Sequence, residues 1–114
     1  MVDPVSSQLE HYMNLLSTRQ KLVTSNIANL DTPGYKTQDI DFNFEFMSKM
    51  DEAQPSPPTV FDAGEGIVKN DGNDVSLDRE MRLLSENAIR FSVASNLLKA
   101  KMTMVRSAIT EGGK

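Results

Sequence analysis

Residues 77–109 read LDREMRLLSENAIRFSVASNLLKAKMTMVRSAI, and the spacing of their apolar positions decides the fold. Leu77, Met81, Leu84, Ala88, Phe91, Ser95, Leu98, Met102, Val105 and Ile109 recur in alternating steps of four and three over about five heptads. That rhythm is the seam of a helix that pairs with another helix, and about 33 residues of it predict a rod of roughly 50 Å. Ser76 stands where a cap is needed, Asp78 and Glu80 fall in the first turn, and Arg106 and Lys114 come late, as the helix dipole favours. Gly112 and Gly113 are expected to end the helix. Leu83, Ile89, Leu97 and Met104 flank the seam and widen its apolar face beyond the need of a two-helix contact.

The partner lies at the other end of the chain. Leu9, Met13, Leu16, Gln20, Val23, Ile27 and Leu30 keep the same steps, with Gln20 the polar member. Neither stripe can be buried alone. The expected fold is therefore mostly α: two long N- and C-terminal amphipathic helices packed antiparallel as a coiled-coil-like hairpin, with the C-terminal helix overhanging. The overhang requires a partner, either in a bundle that dimerises or in a polymer of hairpins.

Three segments are expected: a helix and junction at 1–35, an acidic irregular middle with short strands at 36–75, and the long helix at 76–114. Asp39-Ile40-Asp41-Phe42-Asn43-Phe44-Glu45-Phe46 alternates strictly, which predicts a short strand with Ile40 and the three Phe on one face. The Asp-x-Asp-x-Asn spacing is not a calcium loop, because Phe44 stands where Gly is needed and Met50 where Glu is needed. Gln54-Pro55-Ser56-Pro57-Pro58 predicts a polyproline connection and Asn70-Asp71-Gly72-Asn73 a turn. Thr59-Val60-Phe61 and Gly66-Ile67-Val68 are too short for a stable sheet of their own.

Composition narrows the chemistry. The chain has 114 residues, room for one ordinary domain, with no Cys and one His, which excludes thiolate zinc sites, disulfide scaffolds, Cys nucleophiles and multi-His metal centres. No acid, base and nucleophile cluster points to an enzyme, and His11 reads as a flank residue at an interface. Three acids face two bases in residues 1–35, nine face three in 36–76, and four face seven in 77–114, for segment charges of −1, −6 and +3. An acidic middle and a basic tail attract one another, within a chain or between chains, and net acidity argues against nucleic acid. The opening residues have Asp3 and Pro4 where a secretory signal has bases, so no cleaved signal is expected.

The densest local signal joins the first helix to the middle. Pro33 and Gly34 suit the two central positions of a type II turn. Asn26 and Asn29 share a helix face, where they either cap their own helix or offer donors and acceptors to an adjacent subunit. Asn26-Ile27-Ala28-Asn29 followed by Asp31-Thr32-Pro33-Gly34-Tyr35 resembles the signature shared by bacterial flagellar rod and hook proteins. Asp39-Ile40-Asp41-Phe42, and Asn70-Asp71-Gly72-Asn73 leading to Leu77-Asp78-Arg79-Glu80-Met81, look like the proximal-rod members of that family.

The resemblance implies a structural subunit of the flagellar basal body. Its paired terminal helices line an axial tube, its middle faces neighbours, and it reaches the periplasmic rod through type III export, unfolded and uncleaved. The implied partners are copies of itself and other flagellar axial proteins: other rod proteins, the rod-base/MS-ring adaptor FliE and the export gate. No cofactor, metal, nucleic acid or small-molecule substrate is implied. The resemblance also implies that the Asn26 and Asn29 side chains bond across subunits. The competing expectation is a small helical adaptor or export chaperone, which shares the acidity, size and amphipathic helices.

Overall fold

Pro4 opens α1 (Pro4–Ala28), the helix position where a missing N–H and a fixed φ cost least. The computed structural model describes residues 4–52 and 54–112, so Gly113 and Lys114, expected at and beyond the end of the last helix, lie outside them. At the other end Ser76 caps α3 (Leu77–Gly112), its Oγ accepting from the Arg79 N–H at 3.3 Å. Gly112 is still helical. The overall extents are 70 × 24 × 16 Å and the radius of gyration is 18.2 Å, against about 13 Å for a compact chain of this length.

The two long helices run antiparallel. Asn26 meets Glu80, Gln20 meets Asn87, and Val5 and Leu9 share a groove with Val93 and Leu97. Beyond the level of Pro4, the first described residue, the apolar positions of α3 are open: Met102, Val105 and Ile109 are all exposed, Ile109 by 69%. No helix among the described residues is long and apolar enough to cross a membrane.

The side of α3 turned to α1 differs from the predicted seam. Glu80, Leu83, Asn87 and Ala94 are buried, whereas Leu77, Met81, Ala88 and Phe91 are exposed and Leu84, Ser95 and Leu98 are half-buried. The contact is one residue out of register with the seam because the buried face must also satisfy polar groups. Glu80 and Asn87 find Asn26 and Gln20 only on this side, and the small Ala94 adjoins the groove lined by Leu9 and Tyr12. On α1, Leu16 and Val23 are buried and Leu9, Met13 and Ile27 half-buried, while Leu30, expected on the same seam, lies past the helix end in the turn and is half-buried there.

The middle departs from its predicted strand over 39–46. The sheet has two strands, β1 (Gln38–Ile40) and β2 (Val60–Asp62), antiparallel with Asp39 opposite Phe61. The chain then turns helical as α2 (Phe42–Lys49), capped by Asp41, whose Oδ1 accepts from the Phe44 N–H at 3.1 Å. Phe42 and Phe46 are two alternations apart and equally one helical turn apart, so the same spacing serves both structures. The helix wins because both rings then pack edge-on against Tyr12, with centroids 5.3 Å away. His11 joins them, stacked on Phe46 at 5.7 Å and within 3.4 Å of the Glu45 carbonyl. Phe44 is left facing out.

Candidate functional site

The junction after α1 closes through a turn that needs glycine. Tyr35 N–H donates to the Thr32 carbonyl at 3.2 Å around Pro33 and Gly34, and Gly34 has φ +73°. A second turn, Lys69 to Gly72, docks onto it: the Gly34 N–H donates to the Asp71 carbonyl at 2.9 Å and Lys36 Nζ to the Gly72 carbonyl at 2.7 Å. Gly72 also has positive φ, +86°. Two segments singled out in the sequence, 26–36 and 70–73, are thus clasped together. Asn73 closes the clasp. Its buried carboxamide donates to the carbonyls of Asn29 and Thr32, both at 2.8 Å, and accepts from the Val75 N–H at 2.8 Å. Beside it the Asp74 carboxylate holds Thr37 by its N–H and hydroxyl, at 2.6 and 2.9 Å.

The two asparagines of the signature separate completely. Asn29 caps its own helix, donating to the Ser25 carbonyl at 2.8 Å and accepting from the Thr32 hydroxyl at 2.9 Å. Asn26 is 0% exposed and uses its whole bonding capacity inside the chain. Its Nδ2 donates to the Gln38 carbonyl at 2.9 Å and to Glu80 Oε1 at 2.6 Å, while its Oδ1 accepts from the Gln38 N–H and the Tyr35 hydroxyl, both at 3.0 Å. Nothing remains for another subunit, so for Asn26 both the cap and the intersubunit bond give way to an internal cross-brace. Of the remaining signature residues, Ile27 and Tyr35 are half-buried, and Ala28, Asp31, Thr32, Pro33 and Gly34 form an exposed rim.

Below the clasp lies a charged interior absent from the sequence reading. Asp39 is buried and accepts Arg19 in a fork, at 3.1 and 2.9 Å, and Arg79 at 2.6 Å. Arg79 also donates to Glu80 Oε2 at 2.6 Å, which links the Arg pair to Asn26. Burial alone would push the Arg79 guanidinium down, but its bonds to Glu80 and then Asp39 outweigh this and hold it above its ordinary range. No buried side-chain N or O among the described residues lacks a partner. One signal was available: Glu80 precedes Leu83 and Asn87 by three and seven residues, so it shares their helix face. Its partners are Arg79, its neighbour on α3, and Asn26 of α1, 54 residues away, a separation that periodicity does not reveal. The result is a rigid corner. Among the described residues no three His, Cys, Asp or Glu side chains converge as metal ligands.

The turn supports a direct test. At Gly34 an added methyl meets nothing within 4 Å, so Gly34→Ala carries only the left-handed backbone strain, about 1–2 kcal/mol. At Gly72 the methyl comes to 3.4 Å from the Gly34 Cα, an ordinary van der Waals contact, so Gly72→Ala is expected to carry the same backbone strain and a similar cost. Urea midpoints of the two variants, expected to fall by similar amounts, check this.

Residues 13–36, the second half of α1 and the turn, match the family described as "Flagella basal body rod protein". The chain is 27% identical to flagellar basal body rod protein FlgB of Bacillus subtilis (strain 168), across 93% of this chain and 92% of that protein. It is 26% identical to the FlgB of Escherichia coli (strain K12), across 98% and 99%, and 28% identical to that of Borrelia hermsii, across 82% and 87%.

Proposed function

We propose that the chain is a proximal-rod subunit of the flagellar basal body that polymerises through helix packing and has no catalytic role, a reading supported by its similarity to flagellar basal body rod proteins along most of its length. The observation that carries the reading is the uncovered stripe of α3. Leu98, Met102, Val105 and Ile109 run on from Leu77, Met81, Leu84 and Phe91 along one face, and α1 covers little of it. Leu84, Ala88 and Phe91 form with Leu16 and Gln20 a groove of about 330 Å³ on that face, wide enough for a ridge of a neighbour's helix. A lone molecule leaves this apolar area wet, and stacking copies removes it from water.

In this reading the exposed rim of the junction, Ala28, Asp31, Thr32 and Pro33, faces the next subunit, while Asn26 and Asn29 keep the corner rigid. The subunit reaches the periplasmic rod by type III export without cleavage. Its neighbours are further copies, other rod proteins, FliE and the export gate.

Met102→Asp and Val105→Asp test this. Both sites are exposed in the single chain, so each variant is expected to keep its stability within about 0.5 kcal/mol. A charge on a stripe that becomes dry between subunits should abolish rod incorporation and swimming while export continues. Wild-type swimming by both variants would sink the assignment, and discrete small complexes with axial partners would mark an adaptor instead.

A further inference from the structure

α2 offers a second unpartnered surface, on the side away from α1. Phe42, Glu45 and Phe46 face α1, which leaves Phe44 and Met47, each 60% exposed, side by side at helical spacing. The chain beyond them adds negative charge to the end of the helix that is already negative, through exposed Asp51 and Glu52. Neither forms an ion pair among the described residues. The one base in the last turn, Lys49, is committed to Glu45 at 2.6 Å and to the carbonyls of Ser56 and Pro57. An apolar pair with uncompensated acids beside it calls for an apolar helix with basic flanks.

The chain carries such a helix, out of its own reach. The bare end of α3 presents Met102, Val105 and Ile109 with Lys99 and Arg106, and these two bases also enter no ion pair among the described residues. Within one molecule α2 sits beside Arg90, whose guanidinium lies 5.9 Å from the centre of the Phe42 ring. Val105 is about fifteen residues further along a straight helix, roughly 22 Å away, so the two surfaces cannot meet in one copy.

We propose that the α3 end of a second copy docks on the Phe44–Met47 face of α2, with Lys99 and Arg106 set against Asp51 and Glu52. The proposal rests on the rod reading and names the surfaces for one of its contacts. Two different surfaces of the same chain make a heterologous contact, which leaves each end of the pair open for another copy. For parallel hairpins it fixes a stagger of roughly 22 Å between neighbours. A single contact of one short helix face is far below the area of about 1,200 Å² at which stable pairs begin, so it holds only when repeated within an assembly.

The absence of native cysteine makes a cross-link clean to read. Cells making Met47→Cys and Val105→Cys chains together are expected to yield basal bodies containing a disulfide-linked dimer, absent when either chain is made alone. The double variant Lys99→Glu/Arg106→Glu should lower incorporation about tenfold, and Asp51→Lys/Glu52→Lys in the same chain should restore most of it. Basal bodies that contain both Cys chains but no mixed dimer, or a charge swap that restores nothing, overturn the docking and leave the rod reading standing. Absence of the wild-type chain from basal bodies overturns the rod reading and the docking with it.

Discussion

Asp39→Ala is expected to destabilise the folded chain by about 3–5 kcal/mol, the range for breaking a buried ion pair from one side. Among the described residues Asp39 is the one carboxylate that pairs with Arg19, and it shares Arg79 with Glu80 and the exposed Glu65. Without it, two largely buried guanidinium groups lose their common acceptor and the Ile40 N–H loses a bond of 2.7 Å. Total stabilities of domains are about 5–15 kcal/mol, so the variant falls near or below the folding threshold at physiological temperature. Denaturant titration followed by far-ultraviolet circular dichroism measures the loss, with Asp51→Ala as an exposed control expected within about 0.5 kcal/mol of wild type. A loss under about 1 kcal/mol for Asp39→Ala would mean that water reaches both arginines.

Asn26→Ala is expected to be nearly as costly and Asn29→Ala far milder, although the two residues are the same and lie one turn apart. Truncating Asn26 strands the Gln38 N–H and carbonyl and one Glu80 oxygen, and leaves the Tyr35 hydroxyl with Ser25 alone. At about 1–3 kcal/mol for each buried group left unpaired, with some relief from entering water, the loss should reach about 3–5 kcal/mol. Asn29 contributes a cap at an exposed helix end, worth about 1 kcal/mol or less. Parallel melts of the two variants decide it. A stable Asn26→Ala chain that fails only to incorporate would place this side chain between subunits and contradict the internal brace.

What was legible in the sequence followed from periodicity and turn chemistry. Steps of three and four marked both long helices, and Pro33-Gly34 announced a turn because φ and its sign are local properties. The strand over 39–46 was misread because residues four apart coincide in a period of two and nearly coincide in a period of 3.6. Tyr12, some 30 residues upstream, decided between them. The buried face of α3 was displaced from the seam for a similar reason. Apolar spacing alone favours Leu84 and Phe91, while the pairing of Glu80 with Asn26 and of Asn87 with Gln20 turns Leu83 inward. Asn26 looked like a cap or an outward contact because its actual partners, Gln38 and Glu80, are 12 and 54 residues away.

The link between Asn26 and Glu80 also acts as a measuring device. Leucine and methionine contacts along a helix pair tolerate a slip of one turn, since another apolar side chain arrives where the first one left. A buried carboxamide facing a buried carboxylate does not: the same slip, roughly 5.4 Å, parts Asn26 from Glu80 and separates Asp39 from Arg79. The length of α3 projecting past Pro4 is therefore gauged at the far end of the hairpin, by polar groups that never touch the projection. A population of copies so gauged carries the same length of bare helix in every member, and a filament built from them inherits a constant spacing.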